Sequence, residues 1–319
     1  MPDELRTKLE KQGYHILGKR GAYKACQWQK KSLLYGDVCY KQRFYGIESH
    51  RCLQMTPVVD KCSQNCEFCW RVTPADVGVS WDQVNVSKDD VDQVDVLMDN
   101  VLMANLRSLG GYNPETGVNV PEEKYQEARD PKHVAISLAG EPTLYPFIGE
   151  LIQEVDKRGM SSFLVTNGTQ PQVIREMDLP TQLYITLAAP NEIVYKKLCH
   201  PSIKDGWEKI LESQEFLHSL DCRTVNRLTM VSDRNMQDSR SYAELILKGE
   251  PDFVEVKGYM YLGASRGRLD SKNAPTHREI RAFSQKIADL SGYYLVDEQI
   301  ESKVVLLSKS KNIKKIDMK

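Results

Sequence analysis

Six short apolar runs alternate with amphipathic stretches between residues 53 and 256, and that alternation leaves few folds open. The runs are Leu53–Val59, Val134–Leu138, Phe163–Val165, Leu183–Leu187, Asn226–Val231 and Phe253–Val256. Between them apolar side chains recur at three and four residues, the period of one helix face. Val91, Val94, Leu97, Met98, Val101 and Leu102 do so in 90–106, and Phe147, Ile148, Leu151, Ile152 and Val155 in 147–158. Further helices are predicted over 204–220, 239–248 and 276–290. Strands that are apolar throughout and separated by helices belong to a parallel sheet covered on both faces. Six such units fall short of a closed eight-fold barrel. The predicted fold is therefore α/β, a partial (β/α)6 TIM-like barrel, and ligands gather at the C-terminal ends of its strands. The chain divides into a cysteine-rich extension over 1–52, the barrel over 53–295, and a C-terminal strand and basic tail over 296–319. Residues 111–131 read as an irregular insertion, and 309–319 as a frayed tail.

Six of the eight cysteines fall between positions 26 and 69. The N-terminus has no apolar signal-peptide core and the chain no membrane-length apolar window, which predicts a cytoplasmic protein. Thiols stay reduced there, so clustered cysteines point to metal rather than disulfides. Cys62, Cys66 and Cys69 form C-x3-C-x2-C directly after the first predicted strand. Three thiolates in eight residues wrap one soft-metal site, and thiolates select zinc or iron–sulfur clusters. A structural zinc site wants a fourth ligand, and none follows at finger-like spacing. A four-iron cluster on three cysteines instead leaves one iron open to an external ligand.

Cys26, Cys39 and Cys52 form a second array with equal spacing, C-x12-C-x12-C. It reads as a second cluster with an open iron, or as a zinc site with His50 as fourth ligand. Cys199 and Cys222 have no partner spacing and read as core or surface residues. At the strand ends lie Gly140 and Glu141 of Leu138-Ala139-Gly140-Glu141-Pro142-Thr143, then Thr166-Asn167-Gly168, Thr186, and Asn226 or Arg227. Glycine permits close backbone approach, and polar side chains at strand ends suit a cofactor. A simple Asn-Gly turn explains 167–168 as well.

The C-x3-C-x2-C loop, with Phe68 before its last cysteine, resembles the signature of the radical S-adenosylmethionine superfamily. That resemblance implies S-adenosylmethionine chelated to the open iron, with Phe68 beside the adenine. Leu138–Thr143 resembles the superfamily's Gly-Gly-Glu segment, with Ala139 in place of the first glycine. Further segments narrow the likeness: Trp70-Arg71, Phe163–Gly168, Cys199-His200-Pro201 with Trp207-Glu208, and Gly258–Leu269. Together with the second cysteine array they resemble the tRNA 4-demethylwyosine synthases, in their archaeal form without a flavodoxin-like domain. The family implies two [4Fe-4S] clusters. A 5′-deoxyadenosyl radical abstracts hydrogen from the N1-methyl group of 1-methylguanosine-37 in tRNA(Phe). The resulting radical then joins a two-carbon unit from pyruvate, closing a third ring. The second cluster would chelate pyruvate, and a nearby lysine would form a Schiff base with its ketone. Lys41, two residues after Cys39, is the first choice, with Lys61 and Lys257 as others. An electron donor such as ferredoxin or flavodoxin is implied.

Net charge is −1, yet residues 1–59 carry 11 Lys and Arg against 5 Asp and Glu. Phosphate contacts come from local Arg and Lys whatever the global balance. Arg266, Arg268 and Lys272 after the sixth strand, and Arg51 near the second array, are the candidate tRNA contacts, with Lys19, Arg20, Lys24, Lys30 and Lys31 beside them. Trp70, Tyr259 and Tyr261 are candidates to stack on a splayed base. Two other readings stay open: a radical enzyme acting on a small molecule or protein, and a zinc-stabilised RNA-binding protein without catalysis.

Overall fold

The computed structural model describes residues 1–78 and 86–316, and all six predicted strands are present. Contacts divide the chain into two units, one of residues 1–61, 86–164 and 314–316, the other of 62–78 and 165–313. The first unit holds β1 (His15–Leu17), β2 (Gly21–Tyr23), β3 (Cys52–Thr56), β4 (His133–Ile136) and most of β5 (Ser161–Thr166). Here β1, β2 and β3 pair antiparallel in sequence order, and β3, β4 and β5 run parallel. The second unit holds β6 (Gln182–Thr186), β7 (Arg223–Met230), β8 (Phe253–Gly258), β9 (Tyr294–Gln299) and β10 (Val304–Ser308). Its β6, β7 and β8 are parallel, and β10 lies antiparallel between β8 and β9.

The predicted helices form where their apolar periods place them, at Val94–Leu109, Ile148–Lys157, Gly206–Glu215, Ser239–Gly249 and His277–Ser291. The last shows why. Thr276 and Glu279 make a reciprocal capping box, Gly292 ends the helix at φ 75°, and Ile280, Phe283, Ile287 and Ala288 bury one face. That face joins Leu228, Met230, Val254, Val256, Val305 and Leu307 in the core of the second unit.

Two expectations change. Residues 111–131 are not irregular throughout, because Glu122–Arg129 form a helix. Glu122 and Glu123 in its first turn and Arg129 in its last complement the helix dipole. Tyr125 and Ala128 pack with Leu33, Leu109 and Val120. The tail is held rather than frayed as far as it is described: Ile316 N–H donates to Tyr45 O at 2.8 Å, and Lys315 Nζ to Phe44 O at 3.0 Å. Residues 317–319 lie outside the described residues. β10 lies within 296–319, where a C-terminal strand is expected, whereas the antiparallel strands β1, β2 and β9 escaped the sequence reading. Two of them are only three residues long, and β9 is half-buried without clear alternation.

Candidate active site

Cys62, Cys66 and Cys69 lie half-buried with free thiols on an irregular loop of the second unit. Irregular backbone needs outside partners for its polar groups, and residues 198–202 supply them. Asn65 N–H donates to Cys199 O at 2.9 Å, Glu67 N–H to Leu198 O at 2.9 Å, and Ser202 N–H to Ser63 O at 3.0 Å. His200 adopts a left-handed φ of 42° that turns the chain back along the loop. Asn167 Nδ2 donates to Ser63 Oγ at 2.9 Å and approaches Cys62 Sγ at 3.7 Å, and Ser63 Oγ pairs with Thr169 Oγ1 at 2.6 Å. Asn167 thus serves the cysteine loop directly. Cys199-His200-Pro201, visible in the sequence, owes its place to this backbone pairing.

The neighbouring Cys199 thiol, and then burial, push the Cys66 thiol well above its ordinary range. Burial also raises Cys69. Bare thiolates there are costly, whereas a cationic iron centre stabilises them. Three thiols within eight residues, with no fourth cysteine or histidine between them, suit a cluster with one open iron.

Arg268 closes the loop from the other side. Its guanidinium donates to Glu67 O at 3.3 Å, to Cys69 O and to Asp76 Oδ1. Its side chain is largely buried, so it braces the cysteines and does not stand ready for phosphate. Arg268→Ala is expected to accelerate iron loss under a chelator several-fold, with the salt dependence of tRNA binding unchanged. Arg268→Lys should rescue little, because an ammonium lacks the planar fork. Time-resolved iron release and salt titration of tRNA binding check both. Arg51 is also engaged, with Asp130 at 2.8 Å and Glu48 at 3.3 Å. Arg266 and Lys272 stay exposed. Tyr259 is 3% exposed, with its hydroxyl against Ser265 Oγ at 2.9 Å, and is therefore a packing residue and no stacking platform. Trp70 is 44% exposed, and the Arg71 guanidinium covers its ring at 3.5 Å. Phe68 packs against the core of its unit.

On β6 and β7 the face of each side chain follows strand alternation. Asn226 shares the face of Leu228 and Met230, which pack against the helices. Arg227 takes the other face, where it pairs with the fully buried Glu255 at 2.8 Å and covers the Tyr184 ring at 4.4 Å. Thr186, at the end of β6, is the register partner of Arg227. The buried Arg227–Glu255 pair went unseen in the sequence, because only the register aligns residues 28 positions apart.

In the first unit Gly140 has φ +70°, and a Cβ there would stand 1.9 Å from Val58 O and 2.7 Å from Lys61 O. Glu141 N–H donates to Lys61 O at 2.7 Å. The close approach expected of this glycine is therefore made to the chain's own backbone, at the segment leading into Cys62. The Glu141 carboxylate caps the following turn, accepting from Thr143 N–H at 3.0 Å and Thr143 Oγ1 at 2.6 Å.

The same unit gathers the second cysteine array. Cys26 and Cys39 are the residues preceding helices Gln27–Tyr35 and Tyr40–Tyr45, and Cys52 opens β3. A helix N-terminus favours thiolate. Burial pushes Cys52 up to about 12, with Cys26 and Cys39 adding to the rise and the Lys41 charge opposing it. Each of these groups therefore lies within electrostatic reach of Cys52. Lys41 is nearly buried, and its Nζ sits 4.9 Å from the centre of the Phe163 ring. His50 turns its Nε2 to Glu127 Oε2 at 2.8 Å.

The sequence profile of the radical SAM superfamily matches residues 56–246, and that of wyosine base formation matches 248–309. The chain is 45% identical over 314 residues to the S-adenosyl-L-methionine-dependent tRNA 4-demethylwyosine synthase of Pyrococcus abyssi, covering 96% of this chain and 89% of that protein. The chain belongs to this family of enzymes. The family's protein from Methanocaldococcus jannaschii is 40% identical, with 96% of each chain covered. A solved structure described as TYW1 with a lysine–pyruvate adduct bound matches with a TM-score of 0.87 at 38% identity, covering 100% of this chain and 99% of that one. The α/β partial barrel expected from the sequence is thereby shown. The superfamily brings S-adenosylmethionine and a [4Fe-4S] cluster as cofactors. No helix among the described residues is long and apolar enough to cross a membrane.

Proposed function

We propose that this chain forms 4-demethylwyosine by condensing 1-methylguanosine-37 of tRNA(Phe) with two carbons of pyruvate. Cys62, Cys66 and Cys69 hold one four-iron cluster, and Cys26, Cys39 and Cys52 hold a second. The observation that carries this reading is the placement of Cys26, Cys39, Cys52 and a nearly buried lysine, Lys41, in one unit. A structure of a relative with a lysine–pyruvate adduct supports the same chemistry. When bound, the first cluster and S-adenosylmethionine supply a carbon radical able to abstract hydrogen from a methyl group, on electrons from a ferredoxin or flavodoxin.

The chain's own residues do the rest. Phe68 shields the cluster loop, and Thr186 presents a polar group at a strand end for the cofactor, while Arg227 is held by Glu255. Lys41 Nζ takes up the ketone of pyruvate. Arg266 and Lys272 meet tRNA phosphates, while Trp70 and Tyr261 flank the target base.

An anaerobic assay with dithionite, S-adenosylmethionine, pyruvate and methylated tRNA tests the whole reading. The tricyclic base is expected only when all four are present. Turnover without tRNA would favour a small-molecule substrate, and a colourless zinc protein would end the radical reading. Borohydride with labelled pyruvate should mark Lys41, and a mark on Lys61 or Lys257 would move the Schiff base there. Charge reversal at Arg266 and Lys272 is expected to weaken tRNA binding about tenfold or more and to flatten its salt dependence by one to two contacts, roughly one unit of slope per lost phosphate contact.

A further inference from the structure

Parallel pairing sets one face of β3, β4 and β5 in rows. Cys52, His133 and Ser161 share one row, and Gln54, Ala135 and Phe163 the next. Side chains in register across parallel strands point the same way, and so do residues two apart along a strand. Cys52, His133 and Phe163 therefore stand on a common face. Lys41 lies over that face, with its Nζ 4.9 Å from the centre of the Phe163 ring.

The ring is not free to turn. Phe163 is fully buried and meets the His133 ring edge to face at 6.2 Å and 70°. His133 is itself fixed at both nitrogens. Its Nε2 accepts from Glu48 N–H at 3.0 Å, so Nδ1 carries the proton and donates to Ser161 Oγ at 2.6 Å. Ser161 Oγ in turn donates to Lys132 O at 3.5 Å. A line of fixed groups thus runs from the backbone to the ring beneath the amine.

We propose that Phe163 is a positioning residue for Lys41, its ring face holding Nζ in place and stabilising the cationic iminium formed with a 2-oxo acid. The inference rests on the reading that Lys41 takes up pyruvate. The step balances without an added oxidant or reductant. Two N–H protons of the Lys41 ammonium and the ketone oxygen leave as water, C=N forms, and the single positive charge stays on nitrogen. The ring therefore faces a cation before and after the step. An aromatic face attracts that cation without a formal negative charge. A carboxylate in the same place would also repel the carboxylate of the incoming 2-oxo acid. Ala135, between Gln54 and Phe163 in the row, presents only a methyl group.

Graded fluorination of the ring tests this, because it weakens the π face with little change in shape. The full-length chain, reconstituted with iron and sulfide, is prepared with phenylalanine or its mono-, di- and trifluoro analogues at position 163. Borohydride trapping of labelled pyruvate is then timed and the labelled peptide mapped. The trapping rate on Lys41 is expected to fall stepwise, by about tenfold across the series. The KM for pyruvate should rise, with S-adenosylmethionine cleavage and the melting temperature unchanged. Phe163→Tyr should trap normally, and Phe163→Leu should trap as poorly as the most fluorinated ring. A Lys41 label with a flat series overturns the role of Phe163 alone. A label on another lysine in the unsubstituted chain overturns the Lys41 reading, and the role of Phe163 with it.

Discussion

Cys66→Ala is expected to abolish S-adenosylmethionine cleavage, while Cys26→Ala leaves cleavage intact and abolishes only the tricyclic product. Each change removes one of three thiols at its own site, so each should lower bound iron from about eight to about four per chain. Iron content alone cannot separate the two, but the reactions can. The loop bearing Cys66 is built within one contact unit and the array bearing Cys26 within the other. Loss of one ligand set therefore leaves the scaffold of the other standing. The Cys66 variant should still form the borohydride-trapped pyruvate adduct. The Cys26 variant should release 5′-deoxyadenosine and methionine without modifying tRNA. Chromatographic assay of deoxyadenosine, run beside nucleoside analysis of the tRNA, checks both arms. Loss of cleavage in the Cys26 variant would mean that the two sites assemble as one.

Gly140→Ala is the second change expected to have a large effect. The position sits at φ +70°, and an added methyl carbon meets Val58 O at 1.9 Å. A left-handed conformation costs a non-glycine residue roughly 1–2 kcal/mol. Displacing a backbone carbonyl adds a similar amount, so about 3 kcal/mol in all is expected. The displaced segment, Val58–Lys61, leads directly into Cys62. The variant should lose iron faster and melt several degrees lower. Ala139→Gly, which restores the superfamily's paired glycine without new bulk, should do neither. Thermal unfolding followed by circular dichroism, together with iron release into a chelator, reads both effects.

The parallel strands and their helices were legible because periodicity records burial, and burial is what a sheet covered by helices requires of its residues. Cys62, Cys66 and Cys69 stood out as candidate ligands because all three fall within eight residues. Other parts depend on register and long-range packing, which local pattern does not encode. Nothing in the sequence joins Cys199 to Asn65, or Arg227 to Glu255, until the backbone is folded. Arg268 and Arg51 show the opposite failing. Their charge was plain, but the acceptors of Arg268 lie 192 to 201 residues away, and Asp130, which joins the nearby Glu48 on Arg51, lies 79 away. Charge count predicts a phosphate contact only where the cation stays exposed rather than buried against its acceptors. Arg266 and Lys272, which stay exposed, remain the better candidates. Phe163 read simply as a strand residue, and its place beneath Lys41 depends on where β5 sits beside β4.

The backbone pairing of residues 63–67 with 198–202 uses only amide and carbonyl groups. None of its bonds runs through the adjoining thiols, the proposed iron ligands. A chain that has lost its cluster to oxygen is therefore expected to keep those three sulfurs spaced for reassembly. Repair is then expected to need only iron and sulfide supplied to a standing mould.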